Sequence, residues 1–383
     1  MEKGRVSAAL KCIGSQESTV LEVTDDVLST LKEKHPEPQE LPENPGNHLF
    51  HGPLKKKPVE EVIFEDLDSE AIYKTAKKVH GAAGPSGADA DQWRRVLCSK
   101  QFKKKTANLC CTISDLAKKL NTQIVEPTFF RAYVASKLVP LDKNPGVRPI
   151  GIGQVLRRIV GSATVGLLKS DLAASTAPLQ TCAGLRGGIE ASIHAMRKIW
   201  EDESSEGILL VDASNAFNAL NRKAALHNVQ YTCPELSRYV QNIYGHEAEL
   251  FITGSEEILK SKEGTTQGGP KSMCNYAAST MSLLTSDTVD SNGNSLIPGL
   301  KRVAFADDKN DAGALDELRV IWDDIQRTGP AIGYFPYALK TILIVKPQHF
   351  ERAKLLFPDI TVTTEGHRFL DSYIGTEEGT INL

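Results

Sequence analysis

The chain of 383 residues carries a formal net charge of −3, with 40% hydrophobic and 24% charged residues. That is enough apolar material for two or three core-forming units, and the slight acidic balance excludes a global attraction to nucleic acid, so any such binding must come from local basic patches. No apolar run approaches the roughly 20 residues that cross a bilayer, the N-terminus is too polar for a signal-peptide stretch, and seven scattered cysteines without a C-x-x-C spacing argue against a disulfide framework or structural zinc. The chain is therefore expected to be intracellular, with no membrane among its partners.

Residues 1–59 are expected to form a polar, disordered lead. Pro36, Pro38, Pro42, Pro45, Pro53 and Pro58 stand among charged residues at a density that blocks regular structure, so ordered structure is expected from about residue 60. Residues 60–125 read as helical. Leu67, Ala71, Ile72, Ala76 and Val79 recur at helical spacing behind Asp68, a capping residue, and Cys110, Ile113, Leu116, Ala117 and Leu120 repeat the pattern. From residue 126 short apolar runs such as Ile208 to Val211 and Thr341 to Val345 alternate with longer helical stretches, which is an α+β or α/β arrangement. Segments 249–253 and 257–261 around Gly254-Ser255 predict a β-hairpin, and Leu315, Leu318, Trp322 and Ile325 predict a helix stopped at Gly329-Pro330. The clusters Lys55-Lys56-Lys57 and Lys103-Lys104-Lys105 fit solvated surface, a phosphate contact or a nuclear-import signal.

The strongest chemical signal is a pair of acidic sites at the ends of strand-like runs: Asp212 after Gly207-Ile-Leu-Leu-Val211, and Asp307-Asp308 after Val303-Ala-Phe-Ala306. Either alone is a common way to cap a turn or a helix. If the two strands are neighbours, three carboxylates crowd one end of a sheet, and their repulsion raises their pKa values unless cations neutralise them. Two Mg2+ ions, with Mn2+ as a substitute, would resolve this, held by Asp212, Asp307 and Asp308. Such ions about 3.5–4 Å apart stabilise the attacking and leaving oxygens of a phosphoryl transfer.

Asp212-Ala-Ser-Asn-Ala-Phe217 followed by Phe305-Ala-Asp-Asp308 resembles the first and third palm motifs of reverse transcriptases. Gln267-Gly268-Gly-Pro270, between them, is similar to the family's Gln-Gly-x-Pro loop, which packs on template and incoming nucleotide. Lys143 and Arg148 stand in a segment similar to the one that holds the triphosphate, and Arg157 and Arg158 follow as backbone-phosphate candidates. Arg supplies a planar fork and Lys a mobile point charge for such a group. Lys340, in a stretch resembling the fourth motif, is implied to stabilise or protonate the leaving pyrophosphate. Phe369 and Leu370 stand where the hairpin that grips the primer begins.

The resemblance covers roughly residues 60–378 and also takes in Gly84 to Trp93. It implies an RNA-directed DNA polymerase from a retrotransposon-type mobile element, adding dNTPs to a DNA primer on an RNA template, alongside other element-encoded domains. The implied fold is the α+β right-hand polymerase core: fingers and an antiparallel palm sheet over residues 126–345, a primer-grip-like hairpin at 346–383, and a thumb largely absent. Three departures stand out: Phe305 where tyrosine is commoner, Gly269 where an acid is frequent, and Lys309 directly after the acid pair, facing solvent or weakening metal binding. Two alternatives stay open. A viral RNA-dependent RNA polymerase shares the acids, but Phe217 would clash with a 2′-hydroxyl, unless it is core. A truncated non-catalytic remnant would bind nucleic acid or protein at most.

Overall fold

The computed structural model describes residues 19–41, 59–143, 146–266, 269, 272–285, 292, 294–370 and 372–376. The architecture mixes helices with three sheets and is compatible with the α+β class. Among the described residues no helix is long and apolar enough to cross a membrane.

The first element corrects the expectation that order begins near residue 60. Helix α1 (Asp25–Glu33) is capped by the Thr24 side chain, which accepts from the Val27 amide at 3.3 Å, and carries Asp25 and Asp26 in its first turn, where the helix dipole favours them. Its apolar side chains Val27, Leu28 and the fully buried Leu31 join Leu138, Val147, Leu250 and Ile252 in a small core. The proline density that suggested a linker starts only at Pro36, after the helix has ended; the apolar spacing before it was the signal to read.

Helices α2 (Ser69–Lys78), α3 (Ala90–Leu97) and α4 (Lys103–Thr122) follow. Asp68 caps α2 as its position predicts, accepting from the Ala71 amide at 2.8 Å. Cys110, Ile113, Ala117 and Leu120 of α4 bury the predicted stripe against Leu67, Ile72 and Ala76. Strands β1 (Ser136–Asp142) and β2 (Val147–Gly153) pair antiparallel, and helices α5 (Val155–Leu167), α6 (Lys169–Thr176) and α7 (Gly188–Glu201) lead to β3 (Gly207–Val211). Helices α8 (Arg222–Thr232) and α9 (Pro234–Tyr244) precede the hairpin β4 (Ala248–Ile252) and β5 (Ile258–Ser261), which forms as predicted. The first sheet is ordered β2-β1-β4-β5, with β1 and β4 parallel.

Helix α10 (Ser272–Thr285) is almost wholly buried. Beyond it come β6 (Lys301–Phe305), β7 (Asp308–Gly313), the predicted helix α11 (Leu315–Thr328), β8 (Ile342–Val345), α12 (Phe350–Leu356), β9 (Thr361–Thr363), and the small hairpin β10 (Gly366–Phe369) and β11 (Ser372–Gly375). The second sheet runs β6-β7-β3-β8-β9, antiparallel except for the β8–β9 edge. Its central strand β3 is buried on both faces, as its uninterrupted apolar run requires. Leu209, Val211, Leu343 and Val345 pack on Leu318, Trp322 and Ile325 of α11, whereas Ile208, Leu210 and Ile344 face Met196 of α7 with Phe369 and Ile374 of the last hairpin.

This alternation decides the fate of Lys309. Val211 is the register partner of Lys309, and Leu210 of Asn310, so Lys309 and Asp311 share the α11 face while Asp308 lies on the other. Lys309 therefore neither faces solvent nor joins the acids: it is buried and paired with Asp311, which also meets Arg302 at 3.1 Å. Burial pushes the Lys309 pKa down, and the Asp311 carboxylate opposes that. Removing one member of such a buried set strands the rest. Lys309→Ala is expected to destabilise the protein by about 3 kcal/mol, measured by urea unfolding; a change near zero would mean that Arg302 alone neutralises Asp311.

Candidate active site

Asp212 leaves the end of β3, and β7 begins with Asp308 on the neighbouring strand, one register step beyond the Val211–Lys309 pair. Asp307 occupies the tight turn between β6 and β7, so all three carboxyl groups gather at one edge of the second sheet. Three clefts meet there. One of about 620 Å³ is bordered by Asp212 and Asp307, one of about 720 Å³ by Asp307 and Asp308, and one of about 420 Å³ by Asp212 and Asp308.

The turn that carries Asp307 is held from outside. Ala306 lies in the left-handed region at φ 56°, a conformation costly for a residue with a Cβ. Gln180 secures it at both ends: its amide donates to the Ala306 carbonyl at 3.0 Å and its carbonyl accepts from the Ala306 N–H at 2.8 Å. The Tyr334 hydroxyl adds a bond to the Asp307 carbonyl at 3.1 Å. Neither residue was singled out from sequence. Gln180 belongs to an irregular stretch beside β6, and a glutamine there carries no pattern that reports its partner.

The loop after Asp212 is fixed by main chain. The Asp212 carbonyl accepts from the Tyr337 amide at 2.8 Å, and the Ser214 amide donates to Phe335 at 2.8 Å. Phe217 is half-buried, borders two of the clefts, and lies 4.8 Å ring to ring from the buried Tyr276 of α10. Phe217 thus leans on the core and also borders open space. Its carbonyl accepts from the Thr265 amide at 2.6 Å, a close approach possible because Gly264, at φ +68°, would otherwise set a Cβ 2.3 Å from that same oxygen.

The electrostatics follow from this crowding. Burial first, and then the Asp307 and Asp212 carboxylates, raise the Asp308 pKa to about 7. Asp307 is also raised, again chiefly by burial and further by Asp212, while Lys143 and Arg148 pull it back. Those two cations border the same cleft as Asp212 and Asp307, and Lys340, from the 3-10 turn Ala338–Lys340, borders it too. The donors are hard carboxylate oxygens, a set chemically suited to a divalent cation. Among the described residues, no three His, Cys, Asp or Glu side chains are already drawn together as a metal cage.

Other expected site residues fare differently. Gln267, Gly268 and Pro270 lie outside the described residues. Leu370, with His367 and Arg368, borders the clefts that hold Asp308. Phe369 is only 5% exposed and packs with Ile208, Leu210 and Ile374, and it also borders the cleft that holds Asp212 and Asp308. Arg157 and Arg158 are not free for phosphate. Arg157 donates to the Val134 carbonyl at 2.8 Å, and Arg158 to the carbonyls of His80 at 2.8 Å and of Ala82, tying α5 to the chain before β1 and to the loop after α2.

The raised pKa of Asp308 makes a pH prediction. Between the ordinary value of 3.8 and about 7, the folded protein keeps a proton that the unfolded chain has released, so without divalent cations stability falls as pH rises through that interval. Asp308→Asn removes this contribution. The variant's Tm should overtake or approach that of the parent as pH goes from about 4 to above 7; calorimetry that gave parallel curves would contradict the raised pKa. No family model matches the chain, and no curated protein matches it either.

Proposed function

We propose that the chain is a nucleotidyltransferase, the core of an RNA-directed DNA polymerase that extends a DNA primer with dNTPs on an RNA template. One observation carries the reading: Asp212 and Asp307 border the same cleft as Lys143, Arg148 and Lys340, so an acidic edge faces a basic wall across a space that suits a nucleoside triphosphate. In this reading the second sheet is the palm, the β1–β2 sheet with the preceding helices is the fingers, and the chain derives from a mobile element.

Asp212, Asp307 and Asp308 would hold Mg2+ or Mn2+, which when bound supplies Lewis-acid stabilisation of charge on the transferred phosphoryl group. Lys143 and Arg148 orient the polyphosphate, the arginine through paired N–H donors and the lysine as a point charge. Lys340 is exposed on the cleft rim beside Tyr337 and in this reading would donate a proton to the departing pyrophosphate. The Phe217 ring, propped by Tyr276, closes the floor where a sugar would sit and so excludes a 2′-hydroxyl. Leu370 lies on the side where a primer strand would approach Asp308.

Primer extension on poly(rA) with magnesium or manganese tests this. Asp212→Asn loses a ligand without losing volume, and a deficit of several kcal/mol in charge stabilisation corresponds to a fall of about 10³-fold. Equal activity in parent and variant would reject the reading.

Sugar choice is a separate test of Phe217. Phe217→Ala should raise ribonucleotide relative to deoxynucleotide incorporation by roughly tenfold, because it deletes a steric exclusion. Competition assays showing unchanged discrimination would mean that Phe217 serves only as core.

A further inference from the structure

The segment 19–41 reaches this site. It begins along β1: the Leu21 amide donates to the Pro140 carbonyl at 2.9 Å, and the Asp142 amide donates to Thr19 at 2.9 Å. Leu31, with no exposed surface, then pins α1 on the first sheet. At its other end the segment is fastened to the loops beside the second sheet. Asn215 donates to the Lys34 carbonyl at 2.9 Å, the Gln39 amide donates to Glu263 at 2.7 Å, Glu37 pairs with Lys262 and Glu40 with Lys223. Glu263 also accepts from the Arg222 amide at 2.6 Å, so this far anchor is buried and shared with α8. The strap thus spans from the strand that leads to Lys143 to the loop that follows Asp212.

Between its anchors, Glu33, Lys34, Pro36 and Gln39 border the cleft that holds Asp212 and Asp307. Lys34 joins Lys143, Arg148 and Lys340 there. Among the described residues none of these four forms an ion pair, although Glu33 and Asp212 act on Lys34 and Lys143 through space. Burial pushes the Lys34 pKa down, and Lys340 and Arg148 push it further the same way. Lys143 is depressed likewise, by burial and by Lys340, Arg148 and Lys34. The strap brings Lys34 to a cleft where Lys143, Arg148 and Lys340 already stand, so four cations outnumber the carboxylates of Glu33, Asp212 and Asp307 and an added anion there would be favoured. The strap, rather than the lysine alone, sets that geometry.

We propose that the segment 19–41 is the fourth wall of an oligophosphate site and that Lys34 is its fourth cation, a binding residue for the phosphate end of the incoming nucleotide. The inference rests on the nucleotidyltransferase reading for the ligand's identity, but not for its charge. Lys34 would contact phosphate oxygens alongside Arg148 and Lys143, so its loss weakens binding rather than chemistry.

The test uses the full chain and inorganic tripolyphosphate, titrated by calorimetry with deoxyguanosine as an uncharged comparison. Lys34→Gln should weaken tripolyphosphate binding by roughly fivefold to tenfold, the usual effect of losing one charge-assisted contact, and should lessen its salt dependence, while Lys34→Arg keeps most of the affinity. In extension assays Lys34→Gln should raise KM for dNTP with kcat little changed. A parent that binds tripolyphosphate, with Lys34→Gln indistinguishable from it at matched thermal stability, would overturn the inference and leave the site reading standing. A parent that binds no tripolyphosphate would overturn both.

Discussion

Carboxylates that share a buried edge repel one another, and the arrangement of this molecule is best understood from that repulsion. The register of β3 against β7 puts Asp212 beside Asp308, and the two-residue turn before β7 adds Asp307, so the crowding is built into the pairing of central strands. Burial first, and then the neighbouring carboxylates, lift the Asp308 pKa to about 7, a free-energy cost of keeping that group charged at this edge. Around the edge, the structure supplies rigid supports. Gln180 and Tyr334 hold the left-handed turn, and main-chain bonds from 335 and 337 fix the loop after Asp212. Strain and unbalanced charge maintained by such supports are what a preorganised site requires.

The same sheet keeps its other charges apart. Strand alternation sends Lys309 and Asp311 to the α11 face, where with Arg302 they satisfy one another, and leaves the acids on the opposite face without a lysine among them. Positive charge reaches the acids only across open space, from the end of β1, from β2, from the turn at Lys340 and from the strap at Lys34. These come from positions more than 300 residues apart in the chain. A cleft with one acidic and one basic side therefore depends on two sheets and the segment that ties them, and a loosened strap would change the basic side without touching the acidic one.

Much of this was legible in the sequence where local physics decides. The cap at Asp68, the α4 stripe, the hairpin at Gly254 and the stop after Thr328 follow from spacing and turn chemistry and occur as expected. The acid pair at the end of β6 and Asp212 after an apolar run were visible for the same reason. What was misjudged depended on tertiary partners. Proline density obscured α1, whose stability comes from Leu31 reaching a sheet more than a hundred residues away. Arg157 and Arg158 resembled phosphate ligands because the carbonyls of His80, Ala82 and Val134 that engage them lie elsewhere in the chain. Lys309 was misplaced by a question that composition cannot answer, namely which face of a strand a residue takes. Gln180 and Tyr276 had no local signature at all.

The central claim is that the edge formed by Asp212, Asp307 and Asp308 is a site for divalent cations, and Mn2+ binding followed by electron paramagnetic resonance of the free ion tests it without reference to catalysis. Proton and metal compete for the same oxygens, so binding should strengthen as pH rises through about 7, where Asp308 gives up its proton. It should be lost in Asp212→Asn and remain in a variant altered at an exposed acid of α11, such as Asp323→Asn. Mn2+ affinity that is indifferent to pH and to Asp212→Asn would contradict the account.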